Sequence, residues 1–242
     1  MQYWLDSSAA ASETSPDDGV VTTTFFCAER GCAEFDQRTL RFTGPSAERS
    51  DSGSDEVLYV LAGHGVATIG GESHDLAAGT AVFVARGTPW RVDDAAGLDV
   101  LSVLVRDPLA ADGATHALVS VEGERGGATA GREFRLLATP EVGCSSVTQF
   151  VGYIPVGRAP DHFHKYDEVV YVLDGTGELH IGGESRPLRP GSCVHLPARL
   201  VHSLENSGPE QMAVLGVFRP AGSPAEAYYP DGTAAAVPTQ ES

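Results

Sequence analysis

Residues 161–177 read DHFHKYDEVVYVLDGTG and place His162 and His164 one residue apart, with Glu168 four positions further on, in a chain of only 8 histidines. On an extended chain, side chains two apart share a face, so the two imidazoles point the same way. Glu168 keeps that parity if Lys165-Tyr166-Asp167 stays extended. Imidazole and carboxylate converging on one face suit a divalent first-row metal ion. A second stretch, GSCVHLPARLVHSLEN (191–206), brings a further imidazole. There Gly191 turns into a strand, Pro197 ends it, and His202 opens the next, with Asn206 four residues later.

The elements that position these residues are short runs of Val, Leu, Ile, Phe and Tyr between Gly, Pro, Asp and Ser, the signature of β-strands and tight turns. YVLDGTGELHI reads as a hairpin, and GSCVHLP as a strand stopped by a proline that cannot donate to a ladder. A weak helical pattern appears only near SPAEAYY (223–229). The chain is also one module written twice. Shifted by 112 positions, DEVLYVLAGHGVATIGGESHDLAAGTAV (55–82) lies over DEVVYVLDGTGELHIGGESRPLRPGSCV (167–194) without a gap. The same shift lays Gly31-Cys32 on Gly143-Cys144, which makes those cysteines equivalent positions and not bonding partners. Two tandem all-β domains follow, over 19–121 and 132–230, each an antiparallel barrel or jelly roll. The Gly/Ala-rich stretch EGERGGATAG (122–131) joins them, and 1–18 is expected to be a flexible polar extension.

Composition removes several partners. Lys and Arg number 16 against 33 Asp and Glu, a formal charge of −17 that repels phosphate backbones and anionic lipid. Neither nucleic acid nor membrane is expected as a partner; no apolar run is long enough to span a bilayer, and the first residues lack the pattern of a secretory signal. Cys27, Cys32, Cys144 and Cys193 are too scattered for a disulfide framework and read as separate thiols of a cytoplasmic protein.

The two histidine-bearing stretches together resemble the cupin superfamily. The first motif runs HxH, three residues, Glu, six residues, Gly, here His162, His164, Glu168 and Gly175. The second is carried by Gly191, Pro197, His202 and Asn206. Gly157 lies one residue closer to His162 than the usual spacing, and Arg199 stands where the second motif has glycine. The resemblance covers nearly all of both halves and implies a bicupin: two tandem double-stranded β-helices. It implies one divalent transition metal ion per chain, held by His162, His164, Glu168 and His202, with Fe(II) foremost and Mn, Ni, Cu, Co or Zn as alternatives. In the first copy, Ser50, Ser52 and Trp90 replace the three histidines and only Glu56 survives. That copy is therefore expected to be structural, Trp90 filling its interior, with an apolar ligand pocket as the alternative.

Arg199 is expected at the site mouth, meeting an anionic group of the substrate, and His195 beside a ligand or the substrate. His180 is expected on the face opposite Glu168. His64, His74 and His116 read as surface residues without partners, and Tyr153, Phe163 and Tyr166 as aromatic packing around the ligands. A three-His, one-carboxylate centre leaves coordination positions for water, dioxygen or a chelating substrate. The resemblance implies an enzyme acting on a small organic molecule, first a non-haem Fe(II)-type dioxygenase. A non-redox isomerase, lyase or decarboxylase is the alternative, and a non-catalytic small-molecule binder the third. A homodimer is compatible with the sequence, which sets no subunit count.

Overall fold

A computed structural model describes residues 3–15, 18–109 and 113–235. The chain divides into two compact units. The first comprises 7–122 together with 137–147, and the second 3–6, 123–136 and everything from 148 onward. The break after Glu122 falls where the Gly/Ala-rich joint begins, but each unit also takes in a short piece of sequence from beyond it.

Strand β1 (Trp4–Asp6) belongs to the second unit. In the first unit, β2 (Ser12–Ser15), β3 (Val20–Phe26) and β4 (Phe35–Phe42) lead into two long strands. These are β5 (Ser54–Ile69) and β8 (Trp90–Arg106), with β6 (Glu72–Ala77) and β7 (Thr80–Val84) between them and β9 (His116–Ser120) after. They form an eight-stranded antiparallel arrangement, β2-β3-β4-β8-β5-β7-β9, with β6 attached to β5 alone. Register shifts at Val60/Ala62, Ala62/His64 and Val66/Ala67 mark bulges in β5, which bend a strand and strengthen its twist. Its core includes Leu40, Phe42, Leu58, Val60, Ile69, Val82 and Trp90.

The second unit uses β10 (Gly126–Gly127), β11 (Glu133–Leu136), β12 (Thr148–Ile154) and β13 (Gly157–Arg158). Its remaining strands are β14 (Asp167–Asp174), β15 (Gly177–Ile181), β16 (Glu184–Leu188), β17 (Ser192–Leu196), β18 (His202–Asn206) and β19 (Met212–Arg219). A seven-stranded sheet, β1-β17-β14-β19-β12-β11-β10, stands with a four-stranded one, β13-β18-β15-β16. Alternate residues from both sheets meet in one core: Val170, Val172, Val194 and Leu196 from the first, Leu179 and Leu204 from the second. That is the sandwich form of a jelly roll. The two IGGES segments close matching two-residue hairpins, with both glycines of each at positive φ, as a type I′ turn requires.

The expectation of a flexible extension over 1–18 is corrected. β1 pairs antiparallel with β17 (Trp4 opposite Val194, Asp6 opposite Ser192), and β2 pairs with β3. An uncovered β17 would present a row of unpaired backbone N–H and C=O groups, and β1 satisfies them. Asp6 also accepts from Arg189 Nε at 2.7 Å. Residues 1, 2, 16 and 17 lie outside the described residues.

Candidate metal centre

His162 and His202 sit directly opposite one another in an isolated bridge, each backbone N–H donating to the other's carbonyl at 3.0 and 2.9 Å. This bridge aligns the strand entry before β14 with the start of β18. It sets the two rings 4.7 Å apart, with His164 within 6 Å of both. The candidate ligand nitrogens of the three lie within 4.8 Å of one another. Glu168, opposite Leu196 and Phe218 in β14, faces the same cavity and is buried. The cavity encloses about 490 Å³ counting the open solvent in its mouth. His162, His164, Glu168 and His202 thus line one cavity.

The tautomers follow from the second ring nitrogens. His162 Nδ1 is 2.9 Å from the Pro160 carbonyl, His202 Nδ1 2.9 Å from that of Leu200, and His164 Nδ1 2.7 Å from that of Glu226. A carbonyl can only accept, so all three Nδ1 atoms carry the proton. All three Nε2 atoms are left as lone-pair donors in the neutral ring, the arrangement that metal-ligating imidazoles adopt. Burial keeps the rings neutral: it presses His164 down to about 4, with His162 as a further cause, and His202 well below its ordinary value. Burial likewise lowers His162. The same burial raises Glu168 to about 8, opposed by the Arg132 guanidinium. A cation among these groups would favour neutral imidazole and ionised carboxylate together. The three imidazoles fit a divalent ion, and Glu168 lines the same cavity outside their close group.

Arg132 is the functional candidate that sequence reasoning missed. It lies at the end of the Gly-rich joint, lines the cavity beside the histidines, and donates from Nη2 to the Leu204 carbonyl at 2.6 Å. Burial lowers it to about 10, so it remains a cation at neutral pH. The apolar wall around it is a cluster of Phe134, Phe150 and Phe218, with Tyr166 packed alongside.

Two expectations are corrected. Arg199 is exposed and lines neither lobe of the cavity. Its φ of 67° explains why the motif has glycine there, and its backbone N–H donates to the His164 carbonyl at 2.8 Å, so its role here is that of a turn. His195 lies opposite Val169, on the face of the sheet turned away from Leu196 and Glu168, with Nε2 2.7 Å from Asp167 Oδ1. The two-residue period of β17 removes it from the cavity. His180 does face away from the core, paired to Glu205 at 2.8 Å. Asn206 is structural, its amide donating to the Ile154 and Glu210 carbonyls. His74 and His116, expected to be isolated, lie together with Nε2 atoms 3.0 Å apart.

In the first unit, Ser50 and Ser52 are exposed, while Glu56 is buried in a closed network. Trp90 Nε1 donates to its Oε2 at 3.1 Å, Arg38 to its Oε1 at 3.1 Å, and Ser102 also to Oε1. The indole fills the interior and its N–H occupies the one surviving ligand equivalent.

The cupin domain family matches residues 43–105 and 149–218, more than half of the sequence, and the chain belongs to that family. Among curated proteins it is 34% identical over 85 residues to polyketide synthase CurC of Streptomyces cyaneus, which covers 34% of this chain and 54% of that protein. It is 37% identical over 68 residues to quercetin 2,3-dioxygenase of Bacillus subtilis, 26% of this chain and 20% of that one. An uncharacterized protein of Aquifex aeolicus is 31% identical over 75 residues, 31% of this chain and 61% of its own length. The chain thus spans little more than half the length of the first of these relatives, and less of quercetin dioxygenase. Among solved structures, YlbA of E. coli superposes with a TM-score of 0.74 at 15% identity, covering 89% of each chain. Oxalate decarboxylase of Bacillus subtilis gives 0.68 at 13% identity over 92% of this chain and 78% of that one. Both likenesses are of fold, and the two segments matched by the cupin model make it a pair of cupin domains.

Proposed function

We propose that the C-terminal unit is a mononuclear metal-dependent enzyme centre acting on a small organic anion, with dioxygenase chemistry as the foremost reaction. The observation that carries it is the anchoring of three Nδ1–H groups on backbone carbonyls, which aims three Nε2 lone pairs into one cavity. His162, His164 and His202 would hold the ion, and Glu168 would complete the set with a negative charge. A bound divalent ion supplies Lewis acidity there and, as Fe(II), the electrons for dioxygen activation. Arg132 holds a fixed positive charge in the cavity and orients a carboxylate or enolate group of the substrate. Phe134, Phe150 and Phe218 keep water from the reacting end. The likeness to quercetin 2,3-dioxygenase supports the redox reading.

A second reading, non-redox lyase or decarboxylase chemistry, is favoured by one observation. Glu168 is a buried carboxyl raised to about 8, able to hold or take up a proton inside the cavity when it is not ligated. Oxygen uptake separates the two. Fe(II)-loaded protein given a panel of enediols, phenols and short dicarboxylates in an oxygen electrode should consume oxygen in step with substrate. Turnover under strict anaerobiosis would replace the dioxygenase with the lyase. Absence of turnover with any metal and any member of the panel would favour a binding role.

A further inference from the structure

The first unit carries its own group of ligating side chains, Glu72, His74 and His116, apart from the positions that correspond to the C-terminal centre. Glu72 and His74 are two apart on β6 and share the face of the core residue Leu76, while His116 shares the face of Leu118 on β9. The two imidazoles come from strands that do not pair with each other: β6 is bonded to β5, and β9 to β7.

The two imidazoles are hydrogen-bonded to one another, at a spacing that an ion bound between them would also give. The Nε2 atoms lie 3.0 Å apart, and two imidazoles on one ion at about 2.0–2.1 Å stand roughly 2.9–3.4 Å apart for angles between 90° and 110°. Glu72 Oε2 is 3.7 Å from His116 Nε2 and 4.0 Å from His74 Nε2, on a side chain exposed enough to close that gap by rotation. The ring of His116 is held from behind. Thr115 Oγ1 lies 3.1 Å from its Nδ1, and the Gly70 turn packs so closely that a Cβ there would come within 3.3 Å of the same nitrogen. A hydroxyl can accept from Nδ1–H, and in that tautomer Nε2 is the lone-pair side.

The group is not a remnant of the repeated metal motif. The 112-residue shift carries Glu72, His74 and His116 onto Glu184, Arg186 and Tyr228, and the first unit's counterparts of the C-terminal ligands are Ser50, Ser52, Glu56 and Trp90. We propose that Glu72, His74 and His116 form a second divalent-cation site, suited to zinc with water as fourth ligand, which clips the edge strand β6 to β9. Imidazole and carboxylate donors are what zinc accepts, and the clip ties a strand that among the described residues pairs with β5 alone. Its function is structural, and it stands independently of the chemistry assigned to the C-terminal unit.

Zinc titration of the chelator-stripped full chain, read by competition with a chromophoric chelator and by the visible spectrum of the Co(II)-substituted protein, tests the site. The His164→Ala protein, with its C-terminal centre disabled, should still take up one equivalent with a tetrahedral Co(II) spectrum, and zinc should raise its melting temperature. Adding His74→Ala should abolish that equivalent. Glu72→Gln, on an exposed side chain that does not threaten folding, should weaken it by about tenfold or more. A His164→Ala protein that binds no zinc, or a stoichiometry and affinity unchanged by Glu72→Gln and His74→Ala alike, would overturn the proposal.

Discussion

At the scale of single residues, HxH followed by Glu168 was readable because a strand entry fixes parity, and His202 because a proline and a glycine frame it. Arg132 was not readable. It sits 30 residues before His162, directly after a joint whose composition suggests only flexibility, and reaches the cavity because β11 pairs with β12. Arg132→Ala should raise the apparent Michaelis constant for an anionic substrate by about 10- to 100-fold, the worth of a buried charged hydrogen bond, with metal content unchanged. Arg199→Gly should leave kinetics unaltered and stabilise the fold by about 0.5–1 kcal/mol, the left-handed strain of a residue with a Cβ less the entropy that glycine adds to the unfolded chain. Steady-state kinetics and thermal melts check the pair. The buried groups also set a pH profile for the metal-free protein. Burial holds all three histidines below their ordinary 6.5 on folding, so the stability they contribute is full above 6.5 and is lost as pH falls through their lowered values, which for His164 is about 4. Glu168 rises from 4.5 to about 8, so its contribution is full below 4.5 and lost as pH climbs to about 8. Three groups outweigh one between those limits, and Arg132 faces them all as a constant charge. Melting temperature without metal should therefore peak near pH 6.5. Added metal should lift the alkaline side, because it favours the ionised carboxylate.

Secondary-structure elements explain why the site is held so firmly and why part of the fold was hidden. The segment after β19 supplies the Glu226 carbonyl that fixes His164, and it is itself pinned where Tyr228 bridges Phe163 and stacks on its ring at 5.6 Å. Tyr228→Ala should loosen that anchor and weaken metal binding by about tenfold, a loss that isothermal titration would measure. Glycine turns and alternating Val, Leu and Tyr made most strands legible in the sequence. β1 was not, because WLD amid Ser, Ala and Asp carries no strand signal, and only the open edge of β17 gives it a reason to pair. Removal of residues 1–6 should expose that edge and increase aggregation on heating, followed by light scattering. His74 and His116 were hidden for a like reason. They lie 42 positions apart, and only the neighbouring of β6 and β9 in the folded unit joins them.

For the whole molecule, the repeat by 112 positions makes the two-unit organisation legible in the sequence, and its alternating strands and glycine turns the all-β class. It could not show that 3–6 belong to the second unit and 137–147 to the first, because such exchange depends on pairing, which composition does not record. Among the described residues no helix is long and apolar enough to cross a membrane. The division of labour between the copies is visible in one contrast: Glu56 is enclosed by Trp90, Arg38 and Ser102, while Glu168 looks into a cavity with three imidazoles. The sharpest check is elemental analysis of the purified full chain beside its His162→Ala, His164→Ala and His202→Ala variants, each confirmed as folded by circular dichroism. Each variant should hold one equivalent of transition metal less than the parent, while Trp90→Phe holds the same amount. Parent-level metal in all three histidine variants would remove the C-terminal centre and every mechanism built on it.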